Sequence, residues 1–285
     1  MRILFLAVFL FSSFAQAAEW KTKTSPHFTV YYEGSWAPNS IMLEVEKIFS
    51  KMRLNIAMFA PWMNKYKTKI YIYANQENYL NGEFNPPKWS KGLAFFSKKA
   101  VVVFDMGDIR KLKATMAHEL THLYFESYFA EKMKYPPQWL NEGLAVFMEE
   151  MTYSEEGPWR KALKYSPVDT YVRFPDFFRL EVDRLSNSQQ IANWYLQSYG
   201  IVLYLYSPKK RLMFKNFCDL VRKKYDLEDN LWDAYRIKSS LDLQKEWLKW
   251  RENIDDESEK SLFGERGSAS FNNFKAIEFK PINGK

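Results

Sequence analysis

Residues 114–148 read ATMAHELTHLYFESYFAEKMKYPPQWLNEGLAVFM, and the pattern in this stretch decides the fold. His118 and His122, two of the three histidines in the chain, lie four positions apart within it, and Glu119 lies between them. Apolar residues recur around them at spacings of three and four, which is typical of a helix. Side chains four positions apart project from nearly the same face of a helix. We therefore predict a helix over 109–129 that presents both imidazoles on one face.

The segment HELTH matches H-E-x-x-H, a pattern that is typical of zinc hydrolases. The two imidazoles can bind one metal ion, and Glu119 can then reach a water on that ion. Catalytic zinc sites use three protein ligands, so a third ligand is required. His27 falls in a predicted strand and Cys218 is remote, so we expect a carboxylate. Glu142, in the segment WLNEGLA, is the best candidate, and Glu126, one turn along the histidine face, is a rival.

HELTH followed by WLNEGLA resembles the gluzincin metallopeptidases, in which a glutamate from a second helix completes a zinc site of two histidines and one glutamate. The spacing from H-E-x-x-H to Glu142 matches thermolysin and is one residue longer than in the aminopeptidase N group. The segments SPHFTVYYE, the hairpin at Gly92, YLQSYGIVLYL and SLDLQKEWLKW are similar to the peptidase MA-like family of exported metallopeptidases. The resemblance covers residues 20–252, and it implies that Zn²⁺ is bound by His118, His122 and Glu142.

The resemblance also implies a mechanism, in which a water activated by the metal attacks the peptide bond and Glu119 acts as the general base. Related peptidases stabilise the developing oxyanion with a Tyr or His from the C-terminal lobe. No histidine lies there in this chain, which leaves Tyr195 or Tyr199. Packing in the core is the simpler interpretation of either tyrosine. As a catalytic residue, Tyr195 is favoured by its family-like position before Gln197.

Two departures from related families refine the prediction. The aminopeptidase group carries a G-x-M-E-N loop that recognises a free N-terminus, whereas the corresponding hairpin here reads GLAFF. We therefore expect an endopeptidase rather than an aminopeptidase. Thermolysin orients one histidine with an aspartate four residues after its glutamate ligand, but Val146 stands at that position here. The support for that histidine must therefore come from another residue.

Periodicity divides the rest of the chain into further elements. The predicted strands are 27–32, 67–74 and the two arms of a hairpin over 92–104, and the predicted helices are 40–59, 109–129, one that begins near Trp139, 189–206, 210–224, 227–237 and 240–253. Because the strand patterns stop at about Tyr165, we expect an α+β fold. A zincin-like catalytic region over 18–165, with a small mixed sheet packed on the active-site helices, precedes an α-helical C-terminal lobe over 166–254. We also expect the strand at 100–104 to pair with an extended peptide substrate.

Both ends of the chain are predicted to lie outside the folded part. Residues 1–17 combine a basic start, the apolar run ILFLAVFLFSSF and an A-x-A cleavage site, which is typical of a secretory signal peptide. A retained membrane anchor is the alternative. We therefore expect an exported protein, periplasmic or extracellular, with no stable membrane span once the signal is cleaved. Residues 255–285 are polar, and we expect a flexible tail there.

Composition narrows the range of partners. Lys and Arg together number 41 against 34 Asp and Glu, and the lysines are scattered among acidic and aromatic residues. This distribution is typical of a solvated surface, so we expect a peptide or protein substrate and no nucleic acid. The single cysteine, Cys218, excludes an internal disulfide and is expected to be buried. The sequence leaves the oligomeric state open.

Simpler interpretations of several residues also stay open. Glu142 suits the first turn of a helix, and Asn141 suits a helix cap or a contact with the substrate backbone. Glu149 and Glu150 are expected to be surface charges, and His27 is expected to be structural.

Two other functions compete with the peptidase. One is a weakly active or inactive protein that binds a peptide or partner in a metal-stabilised cleft, and the other is a zinc amidase that acts on cell-wall material.

Overall fold

The protein is described by a computed structural model over residues 20–34 and 40–254. The predicted signal peptide over 1–17 and the predicted tail over 255–285 lie outside the described residues. Within the described ranges, no helix is both long enough and apolar enough to span a bilayer. The described chain combines a five-stranded mixed sheet with a larger set of helices, which confirms the predicted α+β fold.

The order of the strands determines which edge of the sheet is accessible. The strands are β1 (Lys21–Thr24), β2 (Phe28–Tyr32), β3 (Thr68–Tyr73), β4 (Gly92–Phe95) and β5 (Ala100–Phe104). Their order is β1-β2-β3-β5-β4, in which β3 runs parallel to β2 and β5 and the two outer pairs are antiparallel. β5 is hydrogen-bonded on both edges and cannot accept another strand. The predicted pairing of 100–104 with a substrate is therefore wrong, and β4 is the end strand on that side.

The continuous apolar run of β5 follows from burial on both faces of the sheet. Val101 and Val103 belong to the main core, whereas Val102 and Phe104 belong to a second cluster on the opposite face. All four side chains are less than 10 % exposed. The sequence of a strand that is covered on both sides is continuously hydrophobic, because neither set of alternating side chains faces water.

The described helices agree with the longer predicted ones within three residues at each end. They are α1 (Ser40–Ile56), α2 (Gln76–Asn81), α3 (Ile109–Ala130), α4 (Gln138–Glu150), α5 (Pro158–Tyr165), α6 (Phe174–Phe177), α7 (Ser188–Leu205), α8 (Arg211–Lys223), α9 (Leu227–Tyr235) and α10 (Ser240–Glu252). β1, α2, α5 and α6 were not predicted, because each is too short for a clear periodic pattern. From 166 to 254 the described chain contains helices and irregular connections but no strand. The boundary at 165 between a catalytic region and a lobe stays a prediction.

α3 forms where several local signals coincide. Asp108 Oδ1 accepts a hydrogen bond from Arg110 N at 2.9 Å, which satisfies one of the amides that lack a partner at a helix start. Met116, Leu120 and Leu123 are each at most 1 % exposed and form the apolar face of the helix. α3 contacts α1 and β5 as well as α4. The helix therefore buries its apolar side in the core, and its histidine side meets α4.

A glycine allows α4 and α7 to approach each other closely. A Cβ atom at Gly143 would collide with the carbonyl oxygen of Ser198 and would lie 2.6 Å from Val202 Cγ2. Any larger residue at 143 would push α7 away from α4. This close approach matters for the site, because α4 carries Glu142 and α7 carries Tyr195.

Candidate metal centre

Three potential ligands converge from two helices. His118 and His122 project from α3, and Glu142 projects from the first turns of α4. One ligand atom from each lies within 4.8 Å of the other two. Glu142 Oε2 is 3.4 Å from His118 Nε2 and 3.6 Å from His122 Nε2. The side chains are only 12–18 % exposed. The three residues that the spacing singled out therefore lie together.

The geometry of this group fits a metal ion. Two ligands of a tetrahedral zinc ion, each at its usual bond length, are separated by about 3.3 Å. The observed separations of 3.4 and 3.6 Å between the carboxylate oxygen and the two ring nitrogens are close to that value. Glu142 Oε2 is also buried, and it makes no hydrogen bond of acceptable geometry with any residue that the structure describes. A buried carboxylate oxygen in that position is stabilised by a cation.

The electrostatics of the group also favour a positive charge. Burial would raise the pKa of Glu142, but His122 and His118 hold it well below its ordinary value. Burial would lower the pKa of His118, but Glu142 and Glu149 hold it well above its ordinary value. A divalent cation can replace the protons on the imidazoles, because it supplies the same compensating charge to the carboxylates.

Glu149 contacts the outer nitrogen of His118. Its Oε2 atom is 3.3 Å from His118 Nδ1, and its side chain is 13 % exposed, so the prediction of a surface charge is wrong. Glu142 and Glu149 are seven positions apart on α4 and therefore lie on one face, two turns from each other. The two nitrogens of the His118 ring therefore face two different carboxylates, Nε2 that of Glu142 and Nδ1 that of Glu149. Glu149 thus has the orienting position that Val146, which is fully buried in the core, cannot fill.

Two buried polar atoms, one on each of the two helices, have no partner among the described residues. They are His122 Nδ1 and Asn141 Oδ1, and neither makes a hydrogen bond there. Asn141 Nδ2 donates to Glu126 Oε1 at 2.8 Å. Asn141 lies inside α4, whose N-cap is Pro137, so its predicted role as a helix cap is wrong. Glu126, the rival ligand, lies outside the group of three and is instead the acceptor for Asn141.

Glu119 lies against the end strand of the sheet. A Cβ atom at Gly92, the first residue of β4, would be 2.5 Å from Glu119 Cγ and 2.8 Å from Glu119 Oε1. Only a residue without a side chain leaves room for the carboxyl group there. Burial raises the pKa of Glu119, although His122 and His118 oppose the shift. The carboxyl group is therefore situated between the potential ligands and the edge of the sheet.

The two tyrosines of α7 have different surroundings. Burial raises the pKa of Tyr195 well above its ordinary value, and the negative charges of Glu142 and Glu119 raise it further. Tyr199 is 2 % exposed and lies near Glu150 and Arg160. Tyr195 is therefore the tyrosine that borders the metal-binding group, and Tyr199 lines a separate small cavity.

Similarity to a known protein family identifies the superfamily of the chain. A family model of the peptidase MA superfamily matches residues 60–253, which is more than half of the chain. The chain belongs to the peptidase MA superfamily. A search of curated proteins found no significant match. Membership of the superfamily indicates a peptidase-like function, and the group of His118, His122 and Glu142 supports metal binding.

In this peptidase MA chain, α5 joins the site through two neighbouring carboxylates of α4. Glu150 is 7 % exposed, so its prediction as a surface charge is also wrong. Its oxygens accept hydrogen bonds from Trp159 N at 2.9 Å and Arg160 N at 3.3 Å, at the start of α5. The indole Nε1 of Trp159 donates to Glu149 Oε1 at 3.1 Å. Sequence reasoning missed α5, although Pro158 at its first position is a recognisable start signal.

The third histidine and the single cysteine have structural surroundings. His27 Nδ1 is 2.7 Å from Glu46 Oε2, and the His27 ring stacks on Phe49 with centroids 3.6 Å apart. Cys218 is fully buried, and burial raises the pKa of its thiol well above the ordinary value. Both observations confirm the sequence predictions for these two residues.

Proposed function

We propose that this protein is an exported, zinc-dependent metallopeptidase of the gluzincin type, which cleaves bonds within a peptide rather than at its N-terminus. The main support is the group formed by His118 Nε2, His122 Nε2 and a buried oxygen of Glu142, with Glu119 beside it. Membership of the peptidase MA superfamily supports the same reaction class. The apolar, basic-headed N-terminus of the sequence supports export.

The donor set favours zinc as the metal. Two imidazoles and one carboxylate are typical of catalytic zinc sites, in which three protein ligands leave a position for water or substrate. Magnesium and calcium prefer sites made of oxygen ligands alone. When bound, zinc would polarise the carbonyl of the scissile bond and lower the pKa of water to about 7.

Glu119 is the proposed general base. Its carboxyl group lies against Gly92 of β4 and directly follows His118 in sequence, so it borders both the ligands and the sheet edge. In the proposed reaction it removes a proton from water as the new bond to the carbonyl carbon forms. It then delivers that proton to the nitrogen of the leaving amine as the C–N bond breaks.

Tyr195 is the proposed donor to the developing oxyanion. Its phenol borders Glu142 and belongs to α7, whereas the two histidines belong to α3. A fixed O–H donor aimed at a charge that grows in the transition state lowers the barrier, because it needs no reorganisation when the charge appears. Tyr199 is not proposed for this role, because it lies beside Glu150 rather than Glu142.

β4 is the proposed docking edge for the substrate. It is the last strand of the described sheet on the side of the site, and its first residue, Gly92, touches Glu119. A peptide that added to this edge as a further strand would bring its backbone alongside the general base. Recognition through backbone hydrogen bonds suits cleavage within a chain, and GLAFF in this hairpin contains no acid to bind a free N-terminus.

The proposal is tested by metal content together with hydrolysis of an unstructured protein. We expect close to one equivalent of zinc in the purified protein and loss of proteolysis on chelation. Glu119→Gln is expected to keep the zinc and to lower kcat/KM by a factor of about 10²–10⁴, because it removes the base but no ligand. Zinc below about one-tenth of an equivalent, with no gain on reconstitution, would refute the proposal.

Two further outcomes separate the competing functions. A protein that only binds peptides would retain the same affinity in Glu119→Gln and would show no turnover in either form. An amidase would release products from purified cell-wall fragments but not from the unstructured protein. The matched control is Glu126→Gln, which changes a nearby glutamate of α3 that bonds Asn141 and lies outside the ligand group.

A further inference from the structure

We propose, on the basis of the function proposed above, that Trp159 of α5 is a positioning residue for the metal centre. It acts through Glu149 on the ring of His118, and it also borders Tyr195. α5 therefore contributes to the site through Trp159, although none of its residues belongs to the group of potential ligands.

A continuous pair of polar contacts connects Trp159 with His118. The indole Nε1 donates to Glu149 Oε1 at 3.1 Å, and Glu149 Oε2 lies 3.3 Å from His118 Nδ1. The two oxygens of one carboxylate thus face two different partners. A glutamate side chain has considerable rotamer freedom, which it loses only when its neighbours hold it. Trp159 restricts Glu149, and Glu149 in turn restricts the orientation of the imidazole.

Trp159 is itself held firmly. Its side chain is packed in the main core, and the residue is 8 % exposed. Its backbone amide donates to Glu150 Oε1 at 2.9 Å. Glu149 and Glu150 are consecutive residues at the end of α4. Glu149 accepts a hydrogen bond from the indole of Trp159, and Glu150 accepts one from the backbone N–H of the same residue. Gly157 makes this possible, because a Cβ atom there would collide with the Glu150 carboxylate.

The same indole borders the tyrosine proposed to face the oxyanion. The rings of Trp159 and Tyr195 lie with their centroids 6.4 Å apart at an angle of 39°. Tyr195 also makes an edge-to-face contact with Trp194, with centroids 5.3 Å apart. The tyrosine ring thus lies beside two indoles, and a shift of Trp159 would affect both His118 and Tyr195.

The test is the replacement Trp159→Phe, which keeps an aromatic ring and removes the N–H donor. Zinc affinity is measured by competition with a chromophoric chelator, and the geometry of the ligands is followed by the absorption spectrum of the cobalt(II)-substituted protein. We expect the zinc affinity to fall about 10-fold or more, as for the loss of other residues that orient a metal ligand. We also expect an altered cobalt spectrum and a lower kcat with little change in KM.

Trp62→Phe is the matched control. Trp62 Nε1 donates to Ser127 Oγ at 2.9 Å, so this replacement also removes one indole hydrogen bond, but it does so outside the site. We expect Trp62→Phe to keep the zinc affinity of the wild type within twofold, while the metal-free form of either variant unfolds at a lower temperature than the wild type. A structural role alone would make the two variants alike in zinc affinity.

A double mutant tests whether Trp159 acts through Glu149. Glu149→Gln alone should weaken zinc binding, and adding Trp159→Phe should weaken it little further, because the second change removes support from a group already lost. Unchanged zinc affinity in Trp159→Phe, or fully additive losses in the double mutant, would overturn the inference. Normal zinc content without peptide hydrolysis in the wild type would refute the proposed activity but not this inference, and a wild type that binds no zinc would refute both.

Discussion

Replacement of Gly92 by alanine should damage catalysis without removing the metal. Gly92 opens β4, and its missing side chain leaves the space that the Glu119 carboxyl group occupies. Gly92→Ala therefore perturbs the proposed general base through its neighbour. The three potential ligands lie on α3 and α4 and keep their own surroundings.

The size of the effect follows from the distances. The added Cβ would lie 2.5 Å from Glu119 Cγ, whereas ordinary contact begins at 3.4 Å. Glu119 must therefore move by about 1 Å, and a misplacement of that size costs about 100-fold in rate. A 100-fold loss corresponds to about 2.7 kcal/mol of transition-state stabilisation. The cost in folding stability should be about 1 kcal/mol, the low end for overpacking, because the displaced group is a flexible glutamate side chain.

The assay combines kcat/KM on a peptide substrate, zinc content and urea unfolding. Gly82→Ala is the matched control, because its Cβ would collide with the Tyr73 side chain on the other face of the sheet. We expect the control to lose stability and keep its activity, and Gly92→Ala to lose about 100-fold in kcat/KM with a loss of stability of only about 1 kcal/mol. Wild-type kcat/KM in Gly92→Ala, with zinc content unchanged, would refute the assignment of Glu119 as a base held against β4.

Two further predictions concern α7 and the junction of α4 with α5. Tyr195→Phe should lower kcat by a factor of about 10²–10³ with little change in KM, as for the loss of one oxyanion donor, while Tyr199→Phe should leave kcat unchanged. Equal effects of the two replacements in steady-state kinetics would contradict this assignment. Burial raises the pKa of Glu150 from 4.5 to about 7, so the folded protein holds a proton that the unfolded chain releases between these values. The free energy of unfolding of the metal-free protein should therefore fall by about 3 kcal/mol as the pH rises from 4.5 to 7. Urea unfolding at pH 5 and pH 8 should show most of this loss in the wild type and much less in Glu150→Gln. If the free energies of unfolding of both proteins changed equally with pH, the assignment of the loss to Glu150 would be wrong.

The long helices and the potential ligands were predictable from local pattern. α3 is capped by Asp108 and buries Met116 and Leu120, and both features were predictable because capping and helical spacing depend only on neighbouring residues. The shared face of His118 and His122 follows from the same local geometry. The fold class was predictable for a similar reason, since alternating and helical spacings separate strands from helices along the chain.

The roles of Glu149 and Glu150 were not predictable in this way. In sequence they form the charged end of a helix, and such residues usually face water. They are buried because α5 returns to cover them with the indole and backbone N–H groups of Trp159. α5 is only eight residues long, so the sequence gives little indication that it forms a helix and packs against α4.

Contacts between distant segments also decided which strand and which tyrosine belong to the site. β4 and β5 both read as apolar arms of a hairpin, and only the pairing of β5 with β3 makes β4 the edge. Tyr195 and Tyr199 lie one turn apart on α7, and the packing of α7 along α4 brings Tyr195 near Glu142 and Tyr199 near Glu150. Spacing along one helix is a local property that sequence carries directly. The edge of a sheet and the cover over a carboxylate arise from residues far apart in the chain, and they exist only once the chain has folded.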